Sequence, residues 1–576
     1  MKRILFFLKS SLEEIDPRSN FLSLSTNVKG DILAGITVGI IALPLALAFG
    51  EISQLGPIAG IWGAIAGGLI GGLFGGCLVG VSGPTAPKAA QIAAFMSFFV
   101  IGELNNPDLV AAFSIIFLSG LILVGISLLK ISRFIHYTPY PVIAGFMCGI
   151  GVIVILTQIN AFVGLGAEAN LHNVVLNIKY TFQNYNSDAL IVSIPCLITL
   201  FMWSRITKKI VRLATIPSPL AALILGTSIA YIMNLNIPYI GDKMGSATDG
   251  RIFSFYIPDF SRFTEFFFPA LALAALAVLD SLLSCKVADN LTSTRHSSDR
   301  ETFGQGMANM VAGLFGGVTT ATATMRTVAN IKFGAKTPLA SIVHGLTLLA
   351  ILLGLGSFVA IIPTACLAAI LFKVGIEIMD YRIIPVLKKL PISDLLVFMI
   401  VLLVTVFEDL MVAIAIGTIF ALFSSRYELR SIFNFNSSDL VGGLNGTEFA
   451  PKNLDLNQLD KLPVKILRPQ ESLFFGTIEP MIEAYSATDE HEILIVDLSN
   501  VLMIDLTGAY ALEDLINNTM KKNTEVLITG MDPKIEKTLV GLNFVKNIGI
   551  DNFKSSKELI SPMLQKRYGL FFDTES

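Results

Sequence analysis

The five residues GLFGG stand at Gly72–Gly76, with CLVGVSGPTAPKAA after them, and again at Gly313–Gly317, with VTTATATMRTVANI after them. Each copy interrupts an apolar run with a glycine-rich break, and small polar residues and a lone base follow each break. Pro84 and Pro87 in SGPTAP cannot donate backbone hydrogen bonds inside a helix but suit a first turn. TTATAT (Thr319–Thr324) is β-branched and hydroxyl-rich, a poor helix interior and a good extended lead-in. The pattern predicts two half-helices, starting near Thr85 and Thr324 in mid-membrane, whose N-termini face each other from opposite sides. Each such end carries about half a positive charge and unpaired N–H groups, so two facing ends make an anion site. Irregular backbone at that depth is tolerated only where it is buried or lines a cavity.

The composition around the breaks is that of a polytopic membrane protein. Of 576 residues, 53% are hydrophobic and 15% charged, with a mean hydropathy of +0.69; a soluble chain carries about 25% charged residues. The N-terminal ILFFL is too short for a signal sequence. Apolar runs predict spans at about 30–50, 54–75, 85–102, 109–128, 138–160, 188–204 and 216–235, then about 264–286, 301–317, 324–336, 339–357, 361–379, 391–407 and 410–425. Each GLFGG ends the second span of its set of seven. Seven is odd, so the second set enters the membrane upside down, an inverted repeat of the kind secondary transporters use. The expected fold is therefore an α-helical polytopic membrane protein of seven plus seven spans. A cytoplasmic segment (1–29) precedes the transport domain (30–426, with repeats of about 30–235 and 264–425), and a linker (427–460) and a small domain (461–570) follow it.

Loop charges set an expected orientation. Lys130 and Arg133, Arg205 to Arg212, Arg295 and Arg300, Lys332 and Lys336, and Arg382 to Lys389 fall on one side. The other side has only Lys179, Lys243, Arg251 and Arg262. The richer side is cytoplasmic by the positive-inside rule, which puts both termini in the cytoplasm of a cell-membrane protein. In the tail, VKIL (Val464–Leu467), EILIVDL (Glu492–Leu498) and EVLITG (Glu525–Gly530) read as strands. Helical patterns at about 479–487, 507–521 and 534–540 alternate with them, so a compact α/β domain with a mainly parallel sheet is expected.

Asp280 lies deep in FFFPALALAALAVLDSLLSC, and a carboxylate there reads as functional. Ser284 is one turn on, on the same face. Together they suit a coupling ion, either Na⁺ on oxygen ligands or a proton on the carboxylate; a structural ion pair is the plain alternative. Arg326, at the start of the second half-helix, suits an oxyanion or a structural pair with Asp280. Lys88, early in the first half-helix, faces the site or snorkels away. His344 reads as a helix-packing hydrogen bond ahead of a proton relay. The five cysteines (Cys77, Cys148, Cys196, Cys285, Cys366) read as packing residues without metal-ligand spacing. No nucleophile–base pair, phosphate loop or metal cluster points to an enzyme. No cofactor beyond a possible coupling Na⁺, and no nucleic acid, is expected.

Several stretches together resemble the SulP (sulfate permease) anion transporters. They are GDILAGITVGIIALPLALAFG (Gly30–Gly50), SGPTAP (Ser82–Pro87), LDSLLSCKVADNLTSTRHSSDRETFGQGMANMVAGLFGG (Leu279–Gly317) and IPTACLAAILFKVG (Ile362–Gly375). IVDLSNVLMIDLTGAYAL (Ile495–Leu512) resembles a STAS domain. The resemblance implies a core domain moving against a gate domain, a homodimer, a small inorganic anion as substrate, and a tail that serves assembly and regulation through a cytoplasmic partner. Within the family the likeness leans to cyanobacterial sodium-dependent bicarbonate transporters. By that likeness Asp280, Ser284, Thr322, Ala323 and Thr324 match the sodium contacts, and Thr85 matches an anion-facing threonine. Arg326, with Lys88, Ala323 and Thr324, completes the anion-binding set. Arg326 departs from the bicarbonate pattern, which has Gly there; sulfate-transporting relatives carry Arg. At about 5 Å and an effective dielectric of about 20, a fixed cation opposes Na⁺ by roughly 3 kcal/mol, about a hundredfold in affinity. Two bases suit a divalent oxyanion, so sulfate with a proton is favoured over bicarbonate with sodium. An anion channel and a STAS-based sensor or scaffold are the readings of another class. By resemblance to soluble STAS proteins, Thr507 in DLTG matches a phosphorylated serine; the plain alternative is a threonine capping the next helix.

Overall fold

The computed structural model describes residues 11–407 and 440–572, apart from 97–98, 102–105, 133–138, 167–170, 211–215, 243–253, 293, 355–358, 380–382, 452–458, 460, 470–471, 475–476, 487 and 554–558. The span expected at 410–425 lies outside the described residues, as do the loop bases Arg133, Arg212, Lys243, Arg251 and Arg382. Two compact units divide the chain: Met1–Ile135 with Met147–Met379, and His136–Phe146 with Asp380–Ser576.

The first unit opens with α1 (Arg18–Ser23) and α2 (Val28–Ile52), followed by α3 (Pro57–Ala66), which runs through a π turn at Gly67–Gly71 to Phe74. β1 (Ser82–Gly83), α4 (Ala86–Met96) and α5 (Leu109–Leu128) follow, and then α6 (Tyr140–Thr157), whose residues up to Phe146 belong to the second unit, α7 (Ser187–Lys209) and α8 (Ser218–Ile232). The second half runs α9 (Phe263–Thr292), α10 (Ser298–Leu314), β2 (Ala321–Thr322), α11 (Thr324–Lys332), α12 (Leu339–Gly354) and α13 (Thr364–Ile378). Among the described residues, six helical stretches are long and apolar enough to cross a membrane, the longest being Val28–Ile52 and Phe260–Asp289; Ser218–Ile232, Leu339–Gly354 and Ile392–Phe407 are shorter apolar helices.

α4 and α11 are the short helices that follow the two breaks, and they begin at Ala86 and Thr324. β1 and β2 lead into them and pair antiparallel, Ser82 opposite Thr322 and Gly83 opposite Ala321, as two oppositely entering copies of one motif would. The glycines of the breaks serve close packing. A Cβ on Gly76 would lie 2.1 Å from the Ser297 carbonyl, and one on Gly317 would lie 2.7 Å from the Gly63 nitrogen. Each break thus presses its bare backbone onto a helix of the other half, as small residues allow in membranes. α1 closes the first break: buried Asn20 donates from Nδ2 to the Leu73 and Gly75 carbonyls at 3.0 and 2.8 Å. Asp31, in the first turn of α2, accepts from the Lys336 and Thr337 amides and the Thr337 hydroxyl, fixing α2 to the start of α12.

The second unit contains α14 (Ile392–Phe407) and an α/β domain. The domain's elements are β3 (Val441–Gly442), β4 (Val464–Leu467), α15 (Ile478–Ser486), β5 (Ile493–Asp497), α16 (Leu506–Lys521), β6 (Glu525–Thr529), α17 (Pro533–Gly541) and α18 (Ile560–Phe572). The sheet order is β3-β4-β5-β6, parallel except for β3. The three strands and three helices read from the sequence lie within a residue or two of these positions. β3 was not expected, because residues 427–460 read as linker. Leu440 bonds through its carbonyl to the Arg468 amide, and Leu444, Phe449 and Leu459 are buried in the core with Val464, Ile493 and Leu564. Polar and glycine residues around them mask these apolar positions in the sequence. The cap of α16 is Asp505, whose carboxylate accepts from the Gly508 amide at 2.6 Å; Thr507 is inside the helix and does not cap it. The Thr507 hydroxyl accepts instead from the Tyr140 amide at 2.9 Å.

Candidate functional site

The breaks, the strand pair and α9 bring the residues singled out in the sequence into one neighbourhood of the first unit. By geometry, the first amides of α4 and α11 have no intrahelical acceptor. Arg326 follows directly in α11, with 2% of its surface exposed. One terminal nitrogen, Nη2, donates to the Pro84 carbonyl in the opposite lead-in, while Nη1 has no partner among the described residues. Lys88, in α4, is fully buried and donates to the Thr320 carbonyl. It does not snorkel. Each base therefore crosses to the carbonyls that lead into the other half-helix.

Asp280, in α9, lies within electrostatic reach of both Lys88 and Arg326. No direct ion pair joins them among the described residues, and Asp280 Oδ2 is buried without a hydrogen bond. Thr85 stands beside the same carboxyl, yet its Oγ1 completes no hydrogen bond. Ser284 Oγ donates to the Asp280 carbonyl at 2.8 Å and lies 2.8 Å from Thr324 Oγ1. The Asp280 main-chain carbonyl and the Ser284 and Thr324 hydroxyls thus form a run of oxygens at the start of α11, while the Asp280 carboxyl faces Thr85 and the two bases. Ala323 donates its amide to the Val81 carbonyl at 3.0 Å.

Thr322 is tied elsewhere. Its amide donates to Ser281 Oγ at 3.1 Å, and its hydroxyl donates to Glu301 and accepts from Gln305. His344, in α12, is buried near Arg326. The Val38 main chain lies close to its ring, but neither ring nitrogen completes a hydrogen bond among the described residues. The sequence reading passed over Glu301, Gln305 and Asn309, which hold the second lead-in. Their spacing of four residues places them on one helix face, and that was a usable signal.

Comparison with known proteins finds two family matches, one on each side of residues 402–453. The model of the sulfate permease family matches residues 28–401, and that of the STAS domain matches residues 454–559. The chain is 32% identical over 544 residues to the bicarbonate transporter BicA of Picosynechococcus sp., covering 92% of this chain and 94% of the relative. It is 28% identical over 540 residues to the putative sulfate transporter YvdB of Bacillus subtilis, covering 91% and 95%. Among solved structures, the transmembrane domain of a cyanobacterium bicarbonate transporter BicA aligns with a TM-score of 0.60 at 33% identity, covering 67% of this chain and 97% of that domain.

Proposed function

The chain belongs to the sulfate permease family of membrane anion transporters, with a C-terminal STAS domain, and from that premise we propose that it is a proton-coupled sulfate importer. Members of the family are transporters, not enzymes. The observation that carries the reading is the arrangement of Arg326 Nη1 and Asp280 Oδ2, two buried polar atoms without partners among the described residues, in one neighbourhood with Lys88. Buried charges persist only where they are compensated. With both bases charged and Asp280 ionised, the group holds one positive charge in excess, which suits a monovalent anion. With a proton on Asp280 it holds two, which suits sulfate. Loading a proton and a divalent oxyanion together brings the buried group to neutrality, whereas the divalent anion alone would leave it negative, and this links the two fluxes. Arg326 supplies directed N–H donors to the oxyanion, the first amides of α4 and α11 add to it, and Thr85 contributes a hydroxyl between anion and carboxylate.

A sodium-dependent bicarbonate symporter is the second reading. It is favoured by the run of oxygens from the Asp280 carbonyl, Ser284 and Thr324, with Thr322 and Ala323 beside it, and by the likeness to bicarbonate transporters. Labelled sulfate uptake into proteoliposomes under an inward proton gradient, an inward sodium gradient, or neither separates the two. Stimulation by protons alone supports the first reading. Stimulation by sodium, or uptake of labelled bicarbonate with no sulfate uptake, overturns it in favour of the second. Uptake that ignores both gradients and never exceeds equilibrium marks a channel.

The same proposal includes a cell-membrane location with both termini cytoplasmic, a homodimer, and a STAS tail that meets a cytoplasmic regulator. Thr507 is its proposed phosphorylation site; peptide mass analysis of protein from native membranes that finds no phosphate on the peptide containing Thr507 would remove it.

A further inference from the structure

α10 carries a buried polar stripe, Glu301, Gln305 and Asn309, on one face. Asn309 Oδ1 accepts from the Thr319 hydroxyl and the Thr320 amide, both at 2.6 Å. Gln305 Nε2 donates to Ser82 Oγ at 2.6 Å and to Thr322 Oγ1 at 2.9 Å, joining the two strands of the site by their opposed residues. Glu301 reaches furthest. Its Oε2 accepts from the Gly76 and Cys77 amides at 2.9 and 3.0 Å, the peptides at the end of the first break. Its Oε1 accepts from Gln305 Nε2 at 2.9 Å and from the Thr322 hydroxyl. Gly75 lets the carboxylate in, since a Cβ there would lie 2.8 Å from Oε2.

The strand pair that Glu301 braces is two residues long on each side. A ladder that short does not hold its own register. Its register nevertheless sets how Thr85, after β1, stands against Arg326, after β2. The corresponding helix of the first half, PIAGIWGAIAGG (Pro57–Gly68), is apolar throughout, so nothing in the helix itself requires a carboxylate here. A buried carboxylate is costly unless it is fully hydrogen-bonded. This one has two donors on each oxygen, all of them on the discontinuous segments or on its own stripe.

We infer that Glu301 is a positioning residue for anion transport. It touches no ion, but it clamps the first break to the second lead-in and so sets the geometry in which Arg326 and Thr85 meet the anion. The inference rests on anion transport by the family and not on which anion is carried.

The test is uptake by the full-length protein in proteoliposomes, with sulfate and bicarbonate each offered to wild type and variant. A wrong sulfate reading then shows as a changed substrate in the wild type. A wrong inference shows only in the variants. Glu301→Gln places an amide against the Thr322 hydroxyl or the two break amides. The expected result is an apparent KM raised about tenfold with the maximal rate changed less than about threefold, the signature of weakened binding in a folded carrier. An unchanged KM, with the rate falling only in proportion to the amount of folded protein, would mean simple structural support and would overturn the inference. Should Glu301→Gln fail to fold, Gln305→Leu decides the matter, because it cuts the Ser82–Thr322 brace and leaves the break capped. A raised KM in folded Gln305→Leu supports the clamp, and a wild-type KM overturns it.

Discussion

A Cβ built on Gly83 would lie 2.2 Å from Arg326 Nη1, so the bare backbone of the first lead-in is what leaves room for the base of the second. Gly83 and Arg326 come from opposite halves of the chain, and the fit between them is a direct product of the antiparallel pairing of β1 and β2. Gly83→Ala is therefore expected to push the guanidinium off the Pro84 carbonyl while leaving the helices intact. The apparent KM for the transported anion should rise about tenfold, equivalent to the loss of one charged hydrogen bond. Uptake kinetics in proteoliposomes, with size-exclusion profiles as the check on folding, give the answer; a wild-type KM would show that Arg326 relocates without consequence.

Arg326→Lys keeps a positive charge but loses the planar fork. If Nη1 holds the oxyanion while Nη2 holds the Pro84 carbonyl, lysine can serve only one of the two. The loss should be about 1.5–3 kcal/mol for a hydrogen bond to a charged group, or roughly 10–100-fold in KM. A lysine variant with unaltered sulfate affinity would reduce Arg326 to a source of net charge.

Asp280→Asn mimics the protonated carboxyl in shape and fixes its charge at zero. Gradient-driven accumulation should disappear, while exchange of labelled for unlabelled anion across the membrane persists. Accumulation at the wild-type level in this variant would exclude Asp280 as the coupling group.

Asn20→Ala tests the closure of the first break from the N-terminal side. Asn20 donates to carbonyls of the first break, which are left without this partner when its amide is removed. The cost should be about 1–3 kcal/mol, seen as a lower thermal unfolding midpoint of the detergent-solubilised protein. An unchanged midpoint would mean that water or the neighbouring backbone takes over the carbonyls.

Local chemistry was enough to read much of this protein. Composition and apolar run length point to membrane helices, the glycine breaks with their proline or threonine lead-ins mark where helices restart at Ala86 and Thr324, and alternating patterns locate the strands of the STAS domain. These features depend on neighbours in the chain, so they can be read from it. Asp280, Lys88 and Arg326 of the candidate site stand out in the sequence as charges in apolar surroundings, and the fold brings both bases within electrostatic reach of the Asp280 carboxyl.

What the sequence left open was which polar group each of these residues would meet. Glu301 and the Gly76 amide it caps are 225 residues apart, and Lys88 crosses to the Thr320 carbonyl, not to its own half. The short strand β3 comes from a stretch that reads as linker, and Thr507 bonds Tyr140 while Asp505 caps the helix. The sequence by itself determined the helices, the breaks and the charges, because these follow from the intrinsic preferences of short segments. Only the tertiary structure decided the pairing, because a buried donor or acceptor must be satisfied by whatever partner the packed fold brings within about 3 Å, and sequence separation carries no information about that distance.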